Sequence, residues 1–346
     1  MAGKSKDGVE TVLVTGGSGY IGGWCVATLL QKGYVVRTSV RDLAKEPAAR
    51  AAIASVTDPG NRLSFHALTL TSDDGWDAAM DGCDYVLHVA SPLGVSDPKD
   101  PNELIVPARE GARRAVGAAI KAKVKRVVLT SSVAATNKGE RGDWTADETI
   151  WSDPDDPKLS VYAKSKTLAE RAAWDMIHSQ TGDTQLATVN PALVLGPVTS
   201  GDFSESVQVV ERLLSGRVPG LPRLGFNVVD VRDVAELHVR AMIDDNSAGE
   251  RYIAAANYAW MADLAELLRA RVTGPQQAKI PTRKMPDFVI RLAGLFDKDL
   301  GSVTPGLGVK HDFSSEKAQR MLAWKPRPLE ETIMDCANSL IATGAV

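Results

Sequence analysis

A chain of 346 residues is long for a single hydrophobic core, so a large domain carrying a smaller lobe, or two domains, is expected. Hydrophobic residues make up 44%, charged residues 24%, and the net charge is -3 without acidic or basic blocks, a balance that selects neither nucleic acid nor a membrane as partner. The first ten residues are polar, no apolar run reaches membrane-spanning length, and the 3 cysteines, Cys25, Cys83 and Cys336, are widely separated without CxxC spacing; a cytoplasmic protein with buried thiols is expected.

In chain order, Val12–Thr15 reads as a strand and Tyr20–Gln31 as a helix, and that alternation continues. Strands are expected at Tyr34–Val40, Leu63–Leu70, Tyr85–Ala90, Arg126–Ser131 and Gln185–Asn190. Most are continuously apolar, as strands of a parallel sheet covered on both faces are. Helices are expected at Asp77–Met80, Asn102–Lys121 and Val161–Ser179, the last with Ser160 near its cap and an apolar stripe of Leu168, Ala169, Ala172, Ala173, Met176 and Ile177. Beyond Asn190, Pro191, Pro197, Pro219 and Pro222 with several glycines mark a loop-rich segment. The chain then reads as returning to the sheet near Val228–Val231, with a helix to about Asp244, a strand at Arg251–Ala256, and helices at Ala262–Val272 and Glu330–Ile341. The fold class is therefore α/β: a doubly wound parallel sheet of the Rossmann type, spanning 9–196 and rejoined by 226–257, with a substrate lobe from 197–225 and 258–346.

Between the first strand and helix lies Thr15-Gly16-Gly17-Ser18-Gly19-Tyr20-Ile21-Gly22. A helix N-terminus placed there favours a pyrophosphate, and glycines suit the tight turn at Gly16, the close approach at Gly19 and helix packing at Gly22. After the second strand a dinucleotide fold normally offers an acid to the ribose of NAD. Here Arg37-Thr38-Ser39-Val40-Arg41 offers 2 cations and 2 hydroxyls, which suit the 2′-phosphate of NADP(H).

Thr130-Ser131-Ser132 ends a strand, and Tyr162 and Lys166 stand four apart at the start of a helix. A phenol is a weak acid unless a cation lowers its pKa, which Lys166 can do from one turn away. Ser132 can bind a carbonyl oxygen while Tyr162 protonates it. His66, His88, His178, His238 and His311 are not grouped at ligand spacing, so no metal is expected.

The stretches VTGGSGYIG from Val14, GYVVRTSVRD from Gly33, HVASP from His88, VVLTSS from Val127, YAKSKTLAE from Tyr162, NPALVLGP from Asn190 and VVDVRDVAELHVRAM from Val228 resemble the extended short-chain dehydrogenase/reductases. The resemblance is to the branch of dihydroflavonol reductases, cinnamoyl-CoA reductases and microbial aldehyde and ketone (carbonyl) reductases. It implies Ser132, Tyr162 and Lys166 as the catalytic set, with Lys166 also on the nicotinamide ribose. It implies Thr15, Gly16, Ser18, Gly19, Tyr20, Ile21 and Gly22 at the pyrophosphate, Arg37 at the 2′-phosphate, and Thr69 and Leu70 near the adenine, where the family usually has Asp-Leu. Ala90, Ser91, Pro92 and Thr130 would line the cofactor, Pro191 and Val194 the nicotinamide, and Asn137 the substrate. The motif that cinnamoyl-CoA reductases carry around the tyrosine is missing, which turns the expectation away from CoA thioesters.

The reading is an NADP-dependent reductase of an apolar or aromatic aldehyde, ketone, diketone or flavonoid-like carbonyl. The loops Leu93–Pro98, Thr136–Gly142 and Pro197–Phe226 would build its pocket. The alternatives are a hydroxysteroid dehydrogenase, a sugar-nucleotide epimerase, or an NADP-sensing protein without catalysis. Either a monomer or a homodimer paired through Asn102–Lys121 fits the sequence.

Overall fold

Strand β1 (Thr11–Thr15) is buried at every position, because it lies inside a sheet whose two faces are both covered by helices. In the computed structural model, which describes residues 8–92, 98–140, 142–201, 203–296, 301 and 303–346, the chain continues as α1 (Tyr20–Gln31), β2 (Val35–Val40), α2 (Glu46–Ala54) and β3 (Leu63–Ala67). It proceeds through α3 (Trp76–Met80), β4 (Tyr85–His88), α4 (Asn102–Lys121), β5 (Arg126–Thr130), β6 (Trp144–Ala146), α5 (Val161–Ser179), β7 (Gln185–Pro191) and β8 (Leu193–Leu195). The last third holds α6 (Gln208–Ser215), β9 (Gly225–Asp230), α7 (Val231–Ile243), β10 (Arg251–Ala254), β11 (Asn257–Trp260), α8 (Met261–Arg271), α9 (Pro275–Lys279), α10 (Asp287–Ala293), β12 (His311–Phe313), α11 (Glu316–Leu322) and α12 (Leu329–Ala342).

Seven strands pair in parallel in the order β10-β7-β5-β4-β1-β2-β3. The order runs one way through β1, β2 and β3 and the other way from β4, so the sheet is doubly wound with its switch point between β1 and β4. A crevice outside the C-terminal strand ends at that point is where such sheets take ligands.

On one face α1 and α7 pack through Val26, Leu29, Leu30, Val234 and Leu237; on the other α3, α4 and α5 pack through Met80, Ala112, Val116 and Ala173. Cys25 and Cys83 lie in these two layers, Cys336 in the lobe's core, and all three are free and buried. The lobe has its own core, where Val210, Leu213 and Leu214 of α6 meet Leu264 and Leu268 of α8 and Ile333 and Leu340 of α12.

One expectation is corrected here. The run at Val228–Val231 does not rejoin the large sheet: β9 pairs with β8 in parallel and with β11 antiparallel in a separate three-stranded sheet, and the return occurs at β10, against β7. An apolar run reports burial but not the partner it is buried against. The segment read as loops also folds further than expected, into β8 and α6.

Candidate active site

The glycine turn closes the end of β1 at the switch point. Gly16 has φ +75, and a Cβ there would stand 3.1 Å from the Ala90 Cα at the end of β4. At Gly22 a Cβ would lie 2.1 Å from the Gly16 carbonyl oxygen, so only glycine lets α1 start this close beneath the turn. Gly19, at the N-cap, accepts no side-chain cap, which leaves the first amides of α1 without partners from the helix itself, facing the crevice with the positive end of the dipole. Thr15 Oγ1 accepts the amides of Val89 and Ala90, each at 3.0 Å. Its one proton therefore goes to His88 Nδ1, 2.9 Å away. His88 is buried and its pKa falls to about 3, so a neutral imidazole ties β1 to β4.

The cationic segment after the glycine turn divides differently from the expectation. Thr38 Oγ1 donates to the Val14 carbonyl at 2.8 Å and Ser39 Oγ accepts the Gly16 amide at 3.0 Å, so both hydroxyls hold β2 to β1. Arg37 Nη1 donates to the carbonyls of Ala79 at 3.2 Å and Asp81 at 2.6 Å. Those carbonyls end α3, at the edge of the sheet opposite the crevice, so Arg37 is not brought to the phosphate turn. A mid-strand arginine is long enough to reach back and cap a neighbouring helix. Arg41, the first residue after β2, is exposed at the crevice edge and among the described residues makes no hydrogen bond or ion pair.

The three catalytic candidates come together. Ser160 caps α5 by accepting the Ala163 amide at 3.2 Å, which sets Tyr162 in the first turn and Lys166 in the second. Ser132 caps the short turn after β5, its Oγ accepting the Ala134 amide at 3.1 Å, and it lies close enough to the Tyr162 phenol to lower that group's pKa. Lys166 Nζ lies 6.0 Å from the centre of the Tyr162 ring. Tyr162 keeps 38% of its surface open, yet burial of the phenol raises its pKa above 10, with Ser132 pulling down and the Glu205 carboxylate pushing up. The expected lowering by Lys166 is therefore not what prevails. Lys166 is 6% exposed, and burial lowers its pKa to about 8 against the opposing pull of Glu170.

Other expected positions fall less directly. Thr130 turns its hydroxyl to His238 Nε2 at 2.7 Å, away from the crevice. Val194 is buried in the large core, and Ile21 packs against it. The Tyr20 hydroxyl is buried against the lobe beside Asp230 and Cys336. Thr69 follows β3 and gives its carbonyl to Trp76 Nε1 at 3.3 Å, while Leu70 packs under Gly111 of α4. Ser18 is exposed on the turn, Ala90, Ser91 and Pro92 are half-buried after β4, and Pro191 ends β7. Asn137 Oδ1 accepts the Gly139 amide at 2.8 Å, an internal turn of its own loop. Of the expected pocket loops, residues 93–97, 141 and 202 lie outside the described residues. The sequence reading missed the buried Glu170 and Arg251 behind Ser132, whose ion pair joins residues 81 apart in the chain.

The sequence pattern of the NAD dependent epimerase/dehydratase family matches residues 12–255, from β1 through β10. The chain belongs to this family. Within the epimerase/dehydratase family it is 38% identical to cinnamoyl-CoA reductase 2 of Arabidopsis thaliana over 274 residues, covering 75% of this chain and 76% of that one. It is 33% identical to an anthocyanidin reductase of Vitis vinifera over 298 residues, 82% of this chain and 86% of the other. Yeast methylglyoxal/isovaleraldehyde reductase Gre2, solved in complex with NADPH, superposes with a TM-score of 0.80 at 27% identity over 97% of this chain and 100% of its own. No helix among the described residues is long and apolar enough to cross a membrane.

Proposed function

We propose that the protein is an NADPH-dependent reductase that converts an aldehyde or ketone to the alcohol, with Tyr162 as proton donor. The observation that carries this reading is the placement of Ser132 beside Tyr162, close enough to lower the phenol's pKa, with Lys166 one turn on, at the switch-point crevice that also receives the open N-terminus of α1.

The residues fit the dinucleotide. Gly16, Ser18, Gly19 and the first amides of α1 would take the pyrophosphate. Arg41, in place of Arg37, would take the 2′-phosphate, because it is the unpaired guanidinium at the crevice edge. When bound, the dihydronicotinamide supplies a hydride. Ser132 orients the carbonyl oxygen of the substrate, and Tyr162, protonated at neutral pH because its pKa is raised, gives that oxygen its proton. The Lys166 ammonium steadies the phenolate left behind.

In the pocket loops Lys138, Arg141, Arg212, Arg217 and Arg223 are balanced by Asp97, Glu140, Asp202, Glu205 and Glu211, and this lack of net positive charge favours a neutral apolar or aromatic aldehyde, ketone or diketone over an anionic CoA thioester. The test is loss of nicotinamide absorbance when the protein meets NADPH or NADH and a panel of such carbonyls. Tyr162→Phe should keep NADPH binding and lose turnover by about a thousandfold or more, since both the proton and its donor are gone. A Phe variant as fast as the parent would remove Tyr162 from this role, and NADPH binding without turnover on any carbonyl would leave a cofactor-sensing protein.

A further inference from the structure

Glu170 closes the YAKSKTLAE stretch and is fully buried. It stands four residues beyond Lys166, as Lys166 stands beyond Tyr162, so the three share one face of α5. A carboxylate without solvent needs charge and hydrogen bonds in return, and β10, β7 and the turn after β5 supply them. Arg251 of β10 donates its Nε to Oε1 at 2.7 Å, and Thr188 of β7 donates to the same oxygen at 3.1 Å. Oε2 accepts from Ser131 Oγ at 2.5 Å and from Asn190 Nδ2 at 2.9 Å.

The same groups reach round Ser132. Asn190 Nδ2 also donates to the Ser132 carbonyl at 3.2 Å. Arg251, stacked 3.7 Å from the Trp151 ring centre, donates to the carbonyls of Glu148 at 2.7 Å, Ile150 at 2.8 Å and Ala135 at 3.5 Å. The segment carrying Ser132 is thus held through the side chain before it, through its own carbonyl and through Ala135.

We propose that Glu170 and Arg251 are positioning residues of the active site: Glu170 is the counter-charge that keeps the Lys166 ammonium charged, and the pair is the brace that sets Ser132 against Tyr162. The proposal rests on the reading of Ser132, Tyr162 and Lys166 as the catalytic set. Stability alone explains the pair poorly, because a buried ion pair is often replaced by apolar side chains without loss. The charges around Lys166 point the same way. Tyr162 on its own helix is neutral, His88 from β4 is held neutral by burial and by Thr15, and Glu205 acts on Tyr162. Glu170 is the carboxylate whose field opposes the loss of the Lys166 proton.

The experiment compares kcat/KM for NADPH-dependent carbonyl reduction from about pH 6 to about pH 10 in the parent, Glu170→Gln and Arg251→Lys, with a thermal melt of each. The Lys166 charge is needed for turnover, so the rate falls as pH rises through its pKa, and Glu170→Gln is expected to move that alkaline limb toward acid by about one pH unit or more. Arg251→Lys keeps the charge but cannot fork to three carbonyls; it should lower kcat several-fold with the limb in place. Limbs at one pH in all three proteins, with rates following only the folded fraction, would overturn the proposal. Should Glu170→Gln not fold, the double variant Glu170→Gln/Arg251→Gln leaves no unpaired guanidinium and moves the limb in the same acidward direction, with an unmoved limb again the overturning result. Should the parent reduce no carbonyl, the functional reading fails separately. Titration of Lys166 by NMR then decides: a lower pKa in Glu170→Gln upholds the pair's role, and equal values overturn it.

Discussion

Arg41 and Arg37 differ by four positions in sequence and by the two ends of a strand in space. Arg37 is occupied by the carbonyls that end α3, and Arg41 is exposed at the crevice. If Arg41 reads the 2′-phosphate, Arg41→Ala should lower the preference for NADPH over NADH by about tenfold to a hundredfold, the worth of one or two charge-assisted hydrogen bonds. Arg37→Ala should leave the preference alone and lower stability by about 1–2 kcal/mol. The ratio of kcat/KM for the two cofactors checks both, and a collapse in the Arg37 variant with none in the Arg41 variant would reverse the assignment. At this scale the sequence made the meeting of Ser132, Tyr162 and Lys166 legible, because a strand end and one helix face place them by short-range rules. It did not reveal where Arg37 bonds, since a long side chain chooses between two strand ends by its neighbours. Glu170 and Arg251 meet only through tertiary folding, 81 residues apart.

Helix α5 carries Tyr162 and Lys166 of the candidate site on its first two turns, so its cap bears on the proposed function as well as on stability. Replacing Ser160 with Ala removes the bond to the Ala163 amide and should cost about 1 kcal/mol, with Ser160→Asp close to the parent. Urea unfolding measures this, and an Ala variant with the parent's midpoint would show that water replaces the cap without loss. The helices α1, α4 and α5 have the bounds expected from their periodicity, because one apolar stripe on each meets the sheet. Strands β3 and β4 end two or three residues early, where Leu68 and Leu70 turn into the core beneath α4 and the amides of Val89 and Ala90 bond to Thr15 Oγ1 rather than to a neighbouring strand. Helix α2 escaped notice because only Ala49 and Ile53 of it are buried, and α6 because prolines and glycines surround it.

Across the whole molecule, two buried histidines set the acid limit of the fold. His88 joins β1 to β4, and His238 of α7 donates Nδ1 to the Val234 carbonyl and accepts Thr130 at the end of β5. Burial lowers their pKa values from 6.5 to about 3 and about 4, so the folded protein keeps both neutral where the unfolded chain protonates them. The unfolded state then binds more protons, and stability, full above about pH 6.5, falls as pH drops toward 4 by about 1.4 kcal/mol per pH unit for each histidine. Urea midpoints at neutral and mildly acid pH should show this slope. His238→Gln, which can keep one donor and one acceptor, should show a shallower one by about the share of one histidine. An equal slope in that variant would assign the acid sensitivity to carboxylates instead. On the proposed mechanism, activity is expected within a window bounded below by these histidines and above by Lys166, whose pKa burial lowers to about 8.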